Sequence, residues 1–163
     1  MTTSREAPAW HMARWGLLGW IETAFKSAAF LCAYAALATS ITTGWAAPGW
    51  IRVAELVLIG IATAGLLAAI GDRLLEREII AMVFVVFNNL AHLALLASLV
   101  TTAGPGRLLT VFALLMLCGE LVKIRFLRST GFTVRDTPTS VVIGLTAAYA
   151  TLYALAALVW VWR

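Results

Sequence analysis

The chain has few charged residues. Asp, Glu, Lys and Arg make up 12% of its 163 residues, about half the fraction that is usual in a soluble domain. Hydrophobic residues make up 62% of the chain and are collected in five long runs. A soluble domain of this size has too little interior to bury five helices that are apolar all round. The composition therefore excludes an ordinary soluble domain and indicates an integral membrane protein.

Several motifs that carry chemistry are also missing. The sequence contains no Gly-rich phosphate loop, no GxSxG and no HExxH. Its 2 His and 2 Cys residues are too few for a cluster of metal ligands. His11 lies near the N-terminus, so two intramembrane His residues cannot hold a haem within one chain. We therefore expect neither a metal nor another cofactor.

Each apolar run has the length of a membrane-spanning helix. About 20 apolar residues cross a hydrocarbon core of about 30 Å, and a helix satisfies its own backbone hydrogen bonds in lipid. The runs lack the alternation that is typical of a β-barrel. The sequence thus predicts an all-α fold, a polytopic integral membrane helix bundle with five transmembrane helices in one domain, 1–163. The spans are predicted at about 17–43, 52–71, 79–101, 107–127 and 138–162.

The 7 Trp residues all lie near the ends of the first and last runs, as expected of an aromatic belt at the membrane boundary. Two interpretations of the first span are open. If it starts near Trp15, Glu22 and Lys26 lie inside the membrane, and Lys26 can bridge two carboxylates. If it starts near Ala24, residues 9–22 form an N-terminal interfacial helix and Lys26 extends outward to the interface. The later start is the preferred interpretation.

Basic residues predict the orientation, because Lys and Arg are concentrated in cytoplasmic connections. Eight lie on one side: Arg5, Arg14, Arg73, Arg77, Lys123, Arg125, Arg128 and Arg135. The other side has Arg52, Arg107 and Arg163. We therefore predict a cytoplasmic N-terminus and an outer C-terminus. Anionic lipid head groups are the expected partners of the cytoplasmic loops, and scattered basic residues do not favour nucleic acid.

Polar residues deep inside the apolar runs form the candidate site. They are Asn88, Asn89 and His92 in the third run, Glu120 in the fourth, and Glu22 and Lys26 in the first. A helix rise of about 1.5 Å per residue puts Asn88 roughly 14 Å and His92 roughly 20 Å from the inner face. Glu120 lies about 10 Å above that face. Glu120 is therefore predicted beside Asn88, and His92 is predicted to have a different partner.

Two interpretations of this polar patch are open. Interhelical hydrogen bonds stabilise membrane bundles, whereas buried ionisable groups often mark a working site. Three functions follow. The first hypothesis is an accessory or scaffolding subunit of a membrane complex. The alternatives are a carrier or channel for a small molecule, ion or proton that works as an oligomer, and an intramembrane enzyme acting on a lipid or isoprenoid-like substrate.

Overall fold

The chain forms five α-helices within the part that the structure describes. The computed structural model describes residues 16–45, 47–75, 79–101, 106–131 and 137–162, with side chains outside 69–81. The helices are α1 (Leu17–Ser40, followed by the 3₁₀ turn Ile41–Thr43), α2 (Trp50–Leu75), α3 (Ile79–Leu99), α4 (Arg107–Thr130) and α5 (Thr139–Val161). These bounds confirm the all-α bundle and agree with the predicted spans to within a few residues.

Four of the described helices are long and apolar enough to cross a membrane, namely α1 with its 3₁₀ turn, α2, α3 and α5. The helix α4 has 24 residues but is not among the four. Charged residues recur along it from Glu120 to Arg128 and interrupt its apolar stretch. The crossing of a fifth helix therefore stays a prediction.

The helices are arranged in a ring, in the order α2, α3, α1, α4, α5. The most extensive contacts join α1 to α4 and α4 to α5, followed by the contacts of α3 with α2 and with α1. The ring closes between α5 and α2, where the contact is slight. We call the end of the bundle at which α1, α3 and α5 begin the inner end, following the predicted orientation, and the opposite end the outer end.

The outer half of the bundle is closely packed, mainly with apolar side chains. Ala29 and Ala33 on α1 have no exposed surface, and such small side chains allow helices to approach each other closely. Large side chains of the facing helices fill the space between them. The largest fully buried apolar ones in this half are Leu95 and Leu99 of α3 and Leu109, Phe112 and Met116 of α4.

The connections at the outer end contact one another. Trp45 and Thr101 form an isolated antiparallel bridge, and Arg52 donates a hydrogen bond of 3.1 Å to the carbonyl of Thr101. Of the Trp residues at this end, Trp45, Trp50 and Trp162 are exposed. Trp160 is buried within the bundle, which differs from the lipid-boundary position that the aromatic belt predicts.

The predicted N-terminal interfacial helix is not a separate element where the structure describes it. Residues 17–22 belong to α1, which is continuous from Leu17. The rest of that predicted helix, 9–15, lies outside the described residues, as do His11 and the two Trp residues that precede α1. The basic residues Arg5, Arg14, Arg77, Arg135 and Arg163 lie outside them too, and the side chain of Arg73 is not described.

Candidate functional site

A cavity of about 370 Å³ lies in the inner half of the bundle. All five helices contribute to its walls. Its polar lining comprises Glu22, Thr23, Lys26, Asn88, Glu120, Lys123, Thr146 and Tyr149, and its apolar lining includes Leu66, Phe84, Val85, Phe126, Val142 and Leu145. The cavity is therefore formed within a single chain, by residues near the start of α1, α3 and α5 and the later parts of α2 and α4.

Lys26 joins two carboxylates at the wall of this cavity. Its Nζ lies 2.8 Å from Oε1 of Glu22, one turn earlier on α1, and 2.9 Å from Oε1 of Glu120 on α4. Lys26 and Glu120 are each 5% exposed. The interpretation in which Lys26 extends outward is therefore wrong, and the alternative with Lys26 between two carboxylates is confirmed. The outward interpretation fails because it considers α1 alone, whereas Glu120 on α4 provides a second carboxylate for Lys26.

The ion cluster contains more negative than positive charge. One ammonium faces two carboxylates, so Glu22, Lys26 and Glu120 together carry a formal charge of −1. Lys123 lines the same cavity one helix turn from Glu120. Buried charges gain stability only when they are well paired. The positions of Glu22, Lys26, Glu120 and Lys123 therefore determine which charged groups a ligand could place in the cavity.

Two acceptor atoms in the cavity walls are without a donor. Within the described part of the chain, Oε2 of Glu120 and Oδ1 of Asn88 are buried and accept no hydrogen bond. Asn88 is 8% exposed, so both side chains are more than nine-tenths buried. A buried acceptor without a donor costs about 1–3 kcal/mol. The cavity thus presents two acceptors to a group that donates hydrogen bonds.

Asn89 lies beside Asn88 in the chain but has a different role. Its Nδ2 donates to the carbonyl of Leu66 on α2 at 3.2 Å and to that of Val85 on α3 at 2.9 Å. Asn89 does not line the cavity. It joins α3 to α2 by a hydrogen bond, as expected if the polar residues form interhelical hydrogen bonds.

His92 lies one turn beyond Asn88 and pairs with Tyr153 of α5. Nε2 of His92 is 2.6 Å from the Tyr153 hydroxyl, and Nδ1 is 2.7 Å from the carbonyl of Asn88. A carbonyl only accepts, so Nδ1 carries the proton, and in the neutral ring Nε2 accepts from Tyr153. The ring of Phe112 meets His92 edge-on, at 5.6 Å between centroids. His92 therefore has a partner other than Glu120, as its depth predicts.

Two further residues, which are not among the predicted site residues, help to form this site. Tyr149 lines the cavity and donates a hydrogen bond of 2.8 Å to the carbonyl of Ala62 on α2. Gly119 leaves room for the side chain of Lys26. The one-turn spacing of Tyr149 and Tyr153 is visible in the sequence, but it does not tell which helices the two hydroxyls contact.

The described residues contain no group of three or more His, Cys, Asp or Glu side chains that could hold a metal ion. Comparison with protein-family models, curated proteins and solved structures gives no match to this chain. Its chemistry must therefore be inferred from the cavity itself.

Proposed function

We propose that the chain is a membrane carrier for a small molecule that donates hydrogen bonds, and that it holds this molecule in the inner cavity. The observation that carries the proposal is the pair of buried acceptors, Oε2 of Glu120 and Oδ1 of Asn88, which lack donors among the described residues. Both side chains line the same cavity. A ligand with N–H or O–H groups would satisfy both acceptors.

The composition of the cavity supports a ligand site. Small-molecule sites in proteins have volumes of about 300–1,000 Å³ and apolar walls with a few well-placed polar groups. The cavity, at about 370 Å³, lies at the small end of this range. Its apolar walls, which include Phe84 and Leu145, would contact the hydrocarbon part of a ligand. A small amphipathic molecule fits this distribution better than an inorganic ion.

The closed outer half of the bundle supports a carrier rather than an open channel. His92 and Tyr153 lie one turn further outward than Asn88 and Tyr149, and their hydrogen bond crosses the bundle from α3 to α5. Phe112, whose ring packs against those of His92 and Tyr153, has no exposed surface. In the predicted orientation, the closed side of the cavity would face the outer end of the bundle.

Thermal unfolding of the purified protein in a mild detergent tests the proposal. The protein is mixed with small primary amines, alcohols and amides, each paired with a methylated counterpart that has no N–H or O–H group, namely a quaternary ammonium, a methyl ether or an N,N-dimethyl amide. A ligand at 100 times its Kd stabilises the folded state by about 2.7 kcal/mol. We expect at least one donor compound to raise Tm while its methylated counterpart does not. Donors and methylated compounds acting alike would contradict the proposal.

Uptake by proteoliposomes tests the transport step with the same compounds. Asn88→Leu removes one cavity acceptor at nearly constant volume, and Thr151→Val is the control, because Thr151 is exposed on α5 and bonds only within its own helix among the described residues. Uptake of a stabilising compound should fall in Asn88→Leu and persist in Thr151→Val. The same uptake in both variants would exclude this cavity as the route. The accessory-subunit and lipid-enzyme hypotheses stay predictions.

A further inference from the structure

The unpaired oxygen of Glu120 favours an ammonium group as the donor. Lys26 is shared between Glu22 and Glu120, so these three groups carry one more negative than positive charge, and Lys123 brings the four charged groups of the lining to a formal sum of zero. Hydrogen bonds that involve two charged groups are about twice as strong as neutral ones. A primary ammonium has three N–H donors, enough for Glu120 and Asn88 together. A quaternary ammonium carries the same charge but has no donor.

Lys123 offers an anion-binding group close to this position. It lines the cavity and lies three residues after Glu120 on α4, about 4.5 Å further along the helix axis towards the inner end. An anionic group linked to the ammonium by a short spacer would therefore be able to reach Lys123. A zwitterionic head group with the ammonium deeper and the anion nearer the inner end fits both charges.

The space between α5 and α2, here called the gap, lies between the cavity and the apolar surface of the bundle. Contact between these helices is slight, and the Tyr149 hydroxyl crosses the gap to the carbonyl of Ala62. Leu145 lines the cavity and is also 59% exposed, so it lies at the boundary between cavity and surface. A Cβ atom at Gly65 would lie 2.8 Å from the Tyr149 hydroxyl, so this hydroxyl packs directly on α2.

We propose that the ligand is a single-chain amphiphile with a primary ammonium and an adjacent phosphate, and that it reaches the cavity sideways between α5 and α2. This inference rests on the proposed function, whose ligand it specifies. The ammonium would donate to Glu120 and Asn88, the phosphate would contact Lys123, and the hydrocarbon chain of the ligand would leave the cavity past Leu145. The hydrogen bond of Tyr149 to α2 would have to break for the ligand to pass between α5 and α2.

Binding of three compounds tests the head group and its source. The full-length protein in detergent is titrated with lysophosphatidylethanolamine, with lysophosphatidylcholine of the same acyl chain, and with water-soluble phosphoethanolamine. We expect lysophosphatidylethanolamine to bind at least about tenfold more tightly than either of the others, since a site built for donors rejects an analogue that lacks them. Equal affinity for the two lipids would overturn the ammonium assignment. Phosphoethanolamine binding as tightly as the lipid would overturn the membrane source.

Variants test the site and the route separately. Asn88→Leu should reduce the preference for the ethanolamine lipid at least about threefold, and an unchanged preference would overturn the placement of the ammonium. Leu145→Trp should slow lipid binding by narrowing the gap between α5 and α2. Leu155→Trp is the matched control, because Leu155 is 55% exposed on α5 and does not line the cavity. Equal binding rates in the two Trp variants would overturn the lateral route.

The outcomes also separate this inference from the proposed function. If other donor compounds stabilise the protein but neither lipid binds, the ligand class is wrong and the carrier proposal stands. If no donor compound stabilises the protein, both proposals fall. Thermal unfolding of each variant without ligand checks folding, and a variant that does not fold is replaced by Glu120→Gln at the acceptor or by Val142→Trp at the gap.

Discussion

The side chain of Lys26 lies against Gly119, the residue that directly precedes Glu120 on α4. A Cβ atom at Gly119 would lie 3.0 Å from Cγ and 3.3 Å from Cε of Lys26. The aliphatic part of Lys26 thus occupies the space that a side chain at 119 would need, while its Nζ lies 2.9 Å from Oε1 of Glu120. The close approach of α1 to α4 and the ion pair between them therefore depend on one glycine.

Replacing this glycine should disturb the ion cluster. Gly119→Ala introduces a Cβ that is tighter against Lys26 than ordinary contacts allow, and overpacking of this kind costs about 1–3 kcal/mol. Gly144→Ala is the matched control, because a Cβ there meets nothing within 4 Å and alanine favours a helix by up to about 1 kcal/mol. Because both variants gain the same helix propensity, unfolding measured by circular dichroism should show Gly119→Ala less stable than Gly144→Ala. Equal stability of the two variants would contradict the packing of Lys26 on Gly119.

Removing the Lys26 ammonium alone should lower the free energy of unfolding more than removing all three charges of the cluster. Lys26→Met leaves the buried carboxylate of Glu120 and the half-buried carboxylate of Glu22 without their partner, and breaking a buried pair in this way costs about 3–5 kcal/mol. The triple variant with Glu22→Gln and Glu120→Gln removes all three charges, and a neutral replacement of a buried ion cluster is often close to neutral in stability. The free energy of unfolding should therefore recover in the triple variant. A triple variant less stable than Lys26→Met would contradict the coupling of these groups.

The hydroxyl of Tyr153 should contribute more to the free energy of unfolding than the hydroxyl of Tyr34. Tyr153→Phe leaves buried Nε2 of His92 without its hydrogen bond of 2.6 Å, which costs about 1–3 kcal/mol. Tyr34→Phe is the control, since Tyr34 donates at 2.7 Å to the carbonyl of Phe87, in a more exposed position. The free energies of unfolding of both variants give the comparison. A larger loss in Tyr34→Phe would contradict the structural role of the His92–Tyr153 pair.

The position of the proton on the His92 ring is an independent check on the hydrogen bond between His92 and the carbonyl of Asn88. In a His11→Gln background, the ¹⁵N signals of the remaining imidazole should show the proton on Nδ1, because Nδ1 faces the carbonyl of Asn88 at 2.7 Å. A neutral ring with the proton on Nε2 would contradict this hydrogen bond.

The orientation is tested by labelling cysteines in intact cells with a maleimide that does not cross membranes. Cys32→Ala and Cys118→Ala remove the native thiols, which are free. Thr42→Cys lies at the outer end and Ser129→Cys at the inner end, and both positions are exposed. We expect label on Thr42→Cys in intact cells and on Ser129→Cys only after permeabilisation. The reverse pattern would contradict a cytoplasmic N-terminus.

The helices could be predicted from the sequence because lipid imposes one dominant pattern, a long apolar helix bounded by breakers. The depth of each polar residue follows from the helix rise, which is why His92 could be separated from Glu120 before its partner was known. The partners themselves could not be predicted. Lys26 pairs with Glu120 because α1 and α4 are neighbours in the ring, and helix order is not encoded in the hydropathy of either span.

Local spacing could not decide between the two interpretations of α1. Glu22 and Lys26 are four residues apart, which is equally consistent with a solvated helical ion pair and a buried one. Only the third group, Glu120, makes burial of Lys26 favourable. Similarly, Asn88 and Asn89 are adjacent in sequence, but successive helix positions face different directions, so one lines the cavity and the other ties α3 to α2.

The central claim, that the inner cavity holds a small molecule, is tested most directly by native mass spectrometry of the protein taken from its own membrane in a mild detergent. Thr146→Phe is the comparison variant, because Thr146 is buried and lines the cavity, and a phenyl group there would fill part of it. We predict a bound species of one defined mass on the wild type that is absent from Thr146→Phe, with the helix content of the two unchanged. The same bound mass on both proteins, or none on the wild type, would contradict the account.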